Sequence, residues 1–117
     1  MSAGGGHRVT AEPPYYAVIF TSVRSETDDA GYAEAAARMI ALAQGMDGFL
    51  GIESAREGLG ITVSYWRDLA SIKAWKAQAD HLAAQAEGRQ SWYDAYRVRI
   101  AKVERDYDFV REGAQPV

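Results

Sequence analysis

Apolar residues along this chain recur with two periods, one typical of strands and one typical of helices. The run YYAVIFTSV, residues 15–23, is β-branched and aromatic and follows two prolines, which predicts a strand. Apolar side chains alternate onto both faces of this strand, so we expect both faces to be covered.

Three further strands are predicted in the second half of the chain. Residues 48–56 and 60–66 are joined by the short, glycine-bearing link EGLG, which indicates a hairpin. The last strand is expected over 96–107. The alternation of its apolar residues slips between Ile100 and Ala101, which predicts a bulge.

Two segments carry apolar residues at helical spacing. The first follows Thr27, a candidate N-cap, and Asp28, which complements the positive end of the helix dipole. The second begins after a capping Asp68, and its helical signal runs from Leu69 to about Tyr93.

The predicted order of elements is therefore β-α-β-β-α-β. It indicates an α+β protein with the ferredoxin-like arrangement, in which both helices cover one face of a four-stranded sheet. The domain is expected to span 15–107, between a flexible N-terminal tail, 1–14, and a C-terminal tail, 108–117.

Such a sheet has one face that the helices leave open, yet the first strand is apolar on both faces. A second copy packed sheet to sheet would cover the open face, so we predict a homodimer. The alternative is a monomer whose termini cover that face.

Composition narrows the class of protein. The net charge of −3 and the scattered basic residues predict no nucleic-acid partner and no membrane-surface partner. No signal-peptide run is expected, and no stretch approaches the ~20 apolar residues of a membrane span. The chain has no cysteine, which excludes disulfides and zinc–sulfur sites and favours a cytoplasmic location.

The most informative chemistry lies at and after the third strand. Tyr65 and Trp66 end that strand and are expected to point to opposite faces. On a continuous second helix, His81, Gln85 and Trp92 share one face, and the glycine at position 88 leaves a gap between them.

Each of these residues also has a structural interpretation. This structural interpretation is the favoured one: Trp75 and Trp92 would fill the core between helices and sheet, and His81 would have an exposed or hydrogen-bonded role. No metal site is expected, because no second ligand shares the helical face of His81. Arg97 and Arg99 alternate with apolar residues as a solvent row, or hold an anionic substrate at a pocket mouth.

The stretch GITVSYWRDLASIKAWKAQADHLAAQAEGRQSWYDAYRVRIAKVERDY resembles the antibiotic biosynthesis monooxygenase (ABM) domain superfamily. It is most similar to the bacterial group described as haem-degrading monooxygenases or ABM-domain proteins, and the resemblance runs from about Tyr15 to Tyr107. It implies a dimeric α+β barrel. Some members of the superfamily oxidise aromatic polyketides or quinols without metal or flavin, whereas others bind haem and break its ring.

For haem degradation, the resemblance implies an asparagine on the first strand and a tryptophan and a histidine in the second helix. Trp75 matches that tryptophan, but Gln85 stands where the histidine would be. Phe20 and Thr21 occupy the region of the asparagine.

Three functions therefore follow from the sequence. The first is cofactor-free oxygenation of an aromatic substrate, with His81 as base, Trp66 and Trp75 as stacking residues in the catalytic set, and further substrate contacts from Tyr65, Gln85, Trp92 and Phe20. The second is haem binding and degradation, with haem as cofactor and substrate. The third is a non-catalytic ligand-binding or stress-associated dimeric domain.

Overall fold

The computed structural model describes residues 5–7, 11–25, 29–85 and 92–117, which contain five strands and two helices. In chain order these elements are β1 (Gly5–His7), β2 (Tyr15–Arg24), α1 (Asp29–Gln44), β3 (Phe49–Glu57), β4 (Leu59–Trp66), α2 (Leu69–Gln85) and β5 (Tyr93–Val103).

The strands form one antiparallel sheet in the order β1-β3-β4-β2-β5. From β2 onward the chain follows β-α-β-β-α-β, so the predicted ferredoxin-like α+β fold is confirmed. The short strand β1 pairs with β3 and extends the sheet by one edge strand. It lies within the segment that the sequence predicts to be a flexible tail.

The hairpin between β3 and β4 forms where the sequence predicts it. Gly58 makes the turn with a φ of 75°, a left-handed conformation that favours glycine. The register that follows pairs Arg56 with Gly60 and Ile52 with Ser64.

Helix α2 begins as predicted but ends earlier. The Asp68 carboxylate accepts a 2.8 Å hydrogen bond from the backbone N–H of Ser71, which confirms Asp68 as the N-cap. The prediction of helix up to Tyr93 is wrong, because Tyr93 is the first residue of β5. The carbonyl of Trp92 instead accepts backbone and side-chain hydrogen bonds from the end of β2, at Ser25 and Arg24. The predicted cap Thr27 and the gap at position 88 lie outside the described residues.

Strand β5 is shifted toward the N-terminus relative to the predicted 96–107. Its register with β2 is continuous from Val103 to Ala95, so no bulge separates Ile100 from Ala101. The register shift lies at the end of this strand pair, where Val23 and Arg24 face Ala95 and Tyr93, so the extra residue is Asp94 of β5. The sequence pattern misleads because the apolar residues of this edge strand change face without a bulge: Val98 and Ile100 lie on one side and Ala101 lies on the other.

The core lies between the helices and the sheet face that they cover, which we call the helix side. Val18, Ala43, Trp66 and Ile72 are buried there. On the opposite face, the open side, Tyr15 and Ala17 are also buried. The prediction that β2 is covered on both faces thus holds near its start. Farther along the open side, Val23, Leu59 and Ile61 are 40%, 48% and 42% exposed.

Candidate functional site

The residues that the sequence selects for chemistry occupy separate parts of the fold. Those on β2, β4 and β5 are assigned to a face by the pairing register, because cross-strand partners in an antiparallel pair point to the same side. Tyr16 pairs with Trp66, Val18 with Ile100 and Ser22 with Gly60, which places these residues on the helix side.

Trp66 and Trp75 meet in the core at one end of the helix side. Their ring centroids are 5.3 Å apart, and the indole N–H of Trp66 donates a 2.9 Å hydrogen bond to the Ser64 hydroxyl. Phe49 packs edge-on against Trp66. Trp66 is 0% exposed, so it has no surface to offer to a substrate. Trp66 is therefore a core residue, because Phe49 of β3 and Trp75 of α2 close over its indole.

Tyr65 lies on the open side, away from Trp66, as the alternation along the strand predicts. Its hydroxyl donates a 2.7 Å hydrogen bond to the Glu53 carboxylate, and its ring meets Tyr15 edge to face. Burial, followed by the hydrogen bond to Glu53, raises the pKa of the Tyr65 hydroxyl, which is therefore a proton donor at neutral pH. Tyr65 cannot contact a ligand bound between the helices and the sheet.

His81 is not brought to the sheet with the tryptophans. The side chain of His81 is exposed, whereas Ile72 and Ala79 of the same helix are buried. Along an α-helix His81 lies roughly 180° from Ile72, on the side that faces away from the core. The side chain of Gln85 is outside the described residues, and Trp92 does not belong to α2. The predicted face of His81, Gln85 and Trp92 is thus not formed.

A second group of aromatic rings lies farther along the helix side, four to six residues along β4 from Trp66, or about 13 to 20 Å. Phe20 packs against Tyr93 and Tyr96 with ring centroids 5.5 Å and 5.3 Å apart. Tyr32 of α1 meets both Trp92 and Tyr93 edge to face. The sequence predicts Phe20 and Trp92 as substrate contacts, and the structure brings these two residues into one aromatic group.

Two arginines belong to this end of the sheet. The guanidinium carbon of Arg24 lies 3.7 Å from the centre of the Tyr32 ring, a cation–π contact, and Arg24 also donates a 2.9 Å hydrogen bond to the Trp92 carbonyl. Arg56 reaches from β3 across β4 to β2, where it donates a 2.6 Å hydrogen bond to the Ser22 hydroxyl. This end of the fold therefore combines aromatic surface with positive charge.

The arginine side chains influence a phenol in the same group. Burial raises the pKa of the Tyr93 hydroxyl, a hydrogen bond with Tyr32 adds to that effect, and the charges of Arg56 and Arg24 oppose it. Tyr93 is thus a neutral phenol at physiological pH that lies within electrostatic reach of both guanidinium groups.

Arg24 and Arg56 are not among the candidates predicted from the sequence, which are Arg97 and Arg99 instead. Arg97 and Arg99 pair with Thr21 and Ile19, which places them on the open side and away from the aromatic group. The available signal was Gly60, a glycine inside a strand that stands opposite Arg56 in the hairpin. Such a glycine commonly marks the close approach of another group. A Cβ at position 60 would lie 2.1 Å from Nη2 of Arg56.

The aromatic group continues into an exposed apolar row on β5. Tyr96, Val98 and Ile100 all lie on the helix side and are 55%, 41% and 55% exposed. Phe20 and Tyr93 beside them are half-buried. We call Phe20, Tyr93, Tyr96, Val98 and Ile100 together the Phe20 surface. It is apolar, partly open, and bordered by Arg56, so it has the chemical character of a site for an aromatic ligand.

Two classes of feature are missing from the described part of the chain. No group of three or more His, Cys, Asp or Glu residues is placed to hold a metal ion within residues 5–7, 11–25, 29–85 and 92–117. Among those same residues, neither helix has the length and apolar character that crossing a membrane requires.

Known proteins resemble this chain in both sequence and fold. It is 56% identical over 98 residues to the uncharacterized protein YqjZ of Bacillus subtilis (strain 168), which covers 82% of this chain and 85% of YqjZ. It is 35% identical over 48 residues to jasmonate monooxygenase ABM of Pyricularia oryzae, which covers 41% of this chain and 22% of that protein. The crystal structure of PA3566 from Pseudomonas aeruginosa has the same fold, with a TM-score of 0.61 at 15% identity over 84% of this chain and 100% of PA3566.

The family assignment rests on the length of chain that matches. The family model for antibiotic biosynthesis monooxygenase matches residues 14–87, which include β2, α1, β3, β4 and α2. With more than half of the sequence matched and the ferredoxin-like fold confirmed, this chain belongs to the antibiotic biosynthesis monooxygenase family.

Proposed function

We propose that the protein is a monooxygenase that oxidises an electron-rich aromatic substrate, such as a quinol or polyphenol, with O2 on the Phe20 surface, without metal or flavin. The observation that carries this proposal is the half-buried ring of Phe20 between Tyr93 and Tyr96, next to exposed Val98. An aromatic ligand laid on these side chains would bury apolar surface that is otherwise in contact with water.

The proposed reaction needs no external reductant. A hydroquinone and O2 give a hydroxyquinone and water, so one oxygen atom enters the ring and the other leaves as water. The substrate supplies all the electrons that reduce O2. The protein must bind the ring, favour the ionised form of the substrate and limit the access of water.

The proposed chemistry places the substrate away from several residues selected by sequence. Because Trp66 is enclosed and His81 is on the outer side of α2, the proposal assigns neither residue a direct contact. Trp75 is half-buried and flanks the core rather than the Phe20 surface. Haem degradation with His81 as the iron ligand is the alternative, and it would require haem to bind outside the helix side.

Oxygen consumption tests the proposal directly. A panel of quinols and polyphenols is incubated with the protein in an oxygen electrode, and the fastest substrate is taken forward. Phe20→Leu keeps an apolar side chain but loses the ring, so kcat/KM is expected to fall about fivefold. Ile40→Leu alters an exposed apolar residue of α1, outside the Phe20 surface and the open side, and serves as the control, with kcat/KM unchanged within about twofold.

The outcomes separate the functions that the sequence leaves open. A protein that consumes no oxygen with any member of the panel contradicts the oxygenase and favours the non-catalytic binding domain. His81→Ala is expected to keep the full rate. A large loss in that variant would restore histidine to the mechanism.

We also propose that the protein acts as a homodimer joined through the open side of the sheet. Val23, Leu59 and Ile61 form an exposed apolar patch there. Tyr107 and Phe109, in the segment after β5, are 98% and 81% exposed, and a second copy would give these rings a surface to pack on. The proposed location is the cytoplasm, since a chain without cysteine suits a reducing compartment.

A further inference from the structure

Arg56 is held in an unusual position beside the Phe20 surface. Its side chain starts on β3, passes over Gly60 of β4 and ends at Ser22 of β2, two strands away. Nη2 donates to the Ser22 hydroxyl at 2.6 Å, and Nη1 donates to the Ser22 carbonyl at 3.5 Å. Only a glycine at position 60 leaves room for this path, because a Cβ there would lie 2.2 Å from the guanidinium carbon.

The charge of Arg56 is not neutralised by the residues that hold it. Both of its hydrogen bonds go to Ser22, which is neutral, and the salt bridges among the described residues involve Arg38, Arg67 and Lys76 instead. A guanidinium has five N–H donors, so the two bonds to Ser22 leave donors for a further acceptor. A half-buried cation in this state is well suited to bind an anion.

The aromatic surface lies at a defined spacing from this charge. Phe20 and Ser22 are two residues apart on the same side of β2, which separates their Cα atoms by roughly 7 Å. A ring packed on Phe20 can therefore direct a substituent toward the guanidinium at Ser22. Tyr93, which packs against Phe20, also lies within the electrostatic reach of Arg56, so the charge and the rings share one environment.

We propose that Arg56 is a specificity residue that binds an anionic oxygen group, carboxylate or phenolate, on an aromatic ligand whose ring packs on the Phe20 surface. The inference takes the location of the ligand from the proposed function, but it does not depend on any oxidation. In the proposed reaction, the same positive charge would favour the ionised form of a quinol.

A binding experiment without O2 chemistry tests this role. Isothermal titration calorimetry compares 1-naphthoate with 1-naphthamide, which has a similar shape and no charge. The wild-type protein is expected to bind naphthoate about tenfold more tightly or better, as befits a charge-assisted hydrogen bond. Arg56→Gln is expected to abolish this preference and leave the affinity for naphthamide within about twofold.

Two further variants test whether the position of the Arg56 guanidinium matters, or only the positive charge of the protein. Gly60→Ala keeps every charge but places a methyl group where the guanidinium lies, so it is expected to reduce the preference for naphthoate as Arg56→Gln does. Arg99→Gln removes an arginine from the open side of β5 and is expected to keep the preference. Retained naphthamide binding shows that the surface is still folded in each variant.

Three results would each contradict the proposed role of Arg56. The inference is overturned if the wild-type protein binds neither probe at millimolar concentration, if it binds both equally, or if Arg56→Gln keeps the preference. A confirmed preference together with no oxygen consumption would uphold the role of Arg56 and reject the oxygenase, so the two proposals fail independently.

Discussion

The guanidinium of Arg56 and the hydroxyl of Ser22 are joined by a 2.6 Å hydrogen bond, although the two residues lie on strands separated by β4. Ser22 is 2% exposed, so the bond fixes the end of a long and otherwise mobile side chain against the sheet. This contact places a positive charge at the edge of an aromatic surface. Charge and ring together give the site its proposed selectivity for anionic aromatic molecules.

Ser22→Ala is expected to lower the free energy of unfolding by about 1 kcal/mol, the usual net contribution of one hydrogen bond. In a background of Arg56→Met the same change is expected to cost clearly less, because its partner is already absent. Urea denaturation of the four proteins in this cycle measures the coupling. Equal costs in the two backgrounds would show that the Arg56–Ser22 bond does not form in solution.

Replacing the indole of Trp66 is expected to lower the free energy of unfolding more than replacing the indole of Trp75. Trp66→Phe removes a fully enclosed indole and leaves the buried Ser64 hydroxyl without its donor, so we expect a loss of about 2 kcal/mol. Trp75→Phe is expected to cost less than about 1 kcal/mol. Trp75 is only half-buried, and its indole N–H has no acceptor among the described residues. Thermal and urea denaturation compare the two, and a larger cost for Trp75→Phe would contradict this placement.

The hydrogen bond from the Tyr15 hydroxyl to the Asp106 carboxylate leads us to expect a loss of stability at alkaline pH. Burial, then the hydrogen bond to Asp106, raises the pKa of Tyr15 to about 12 from 10.0. The raised pKa stabilises the folded state fully below pH 10, and this contribution disappears as the pH rises toward 12. In Tyr15→Phe the free energy of unfolding is expected to fall less over this pH range than in the wild-type protein. Urea denaturation from pH 9 to 12 measures the fall. If the free energy of unfolding depends on pH in the same way in both proteins, the prediction is wrong.

The proposed homodimer predicts which substitutions on the open side of the sheet would disrupt it. Ile61→Lys puts a charge into the apolar patch of the open side, so it is expected to produce monomer at concentrations where the wild-type protein is dimeric. Ile100→Lys is the matched control, since Ile100 is similarly exposed but lies on the helix side. Sedimentation velocity at micromolar concentration reports both. A monomeric wild-type protein would reject the dimer.

The sequence predicts the order of elements well, because strand and helix periods differ and because local signals mark the ends. Gly58 defines the hairpin and Asp68 caps α2 through its own hydrogen bond to Ser71. Both signals act over a few residues. The end of α2 is predicted poorly, because the hydrogen bonds that fix Trp92 come from Arg24 and Ser25, far away in the sequence.

The candidate site is predicted only in part for the same reason. Phe20 and Trp92 are identified as aromatic contacts, and the structure places them in one group. Arg56 escapes notice because its role depends on the pairing register, which sets it beside Gly60 and two strands away from Ser22. Helical spacing likewise gives His81 a shared face with Trp92, but that face requires a helix longer than α2.

Turnover of a quinol under 18O2 shows whether an oxygen atom of O2 enters the substrate. With the fastest substrate of the oxygen-uptake panel, we expect one 18O atom in the hydroxyquinone product and one in water, with protein-dependent formation that Phe20→Leu slows about fivefold. Product without 18O, or labelled product formed at the same rate without the protein, would contradict the assignment as a monooxygenase.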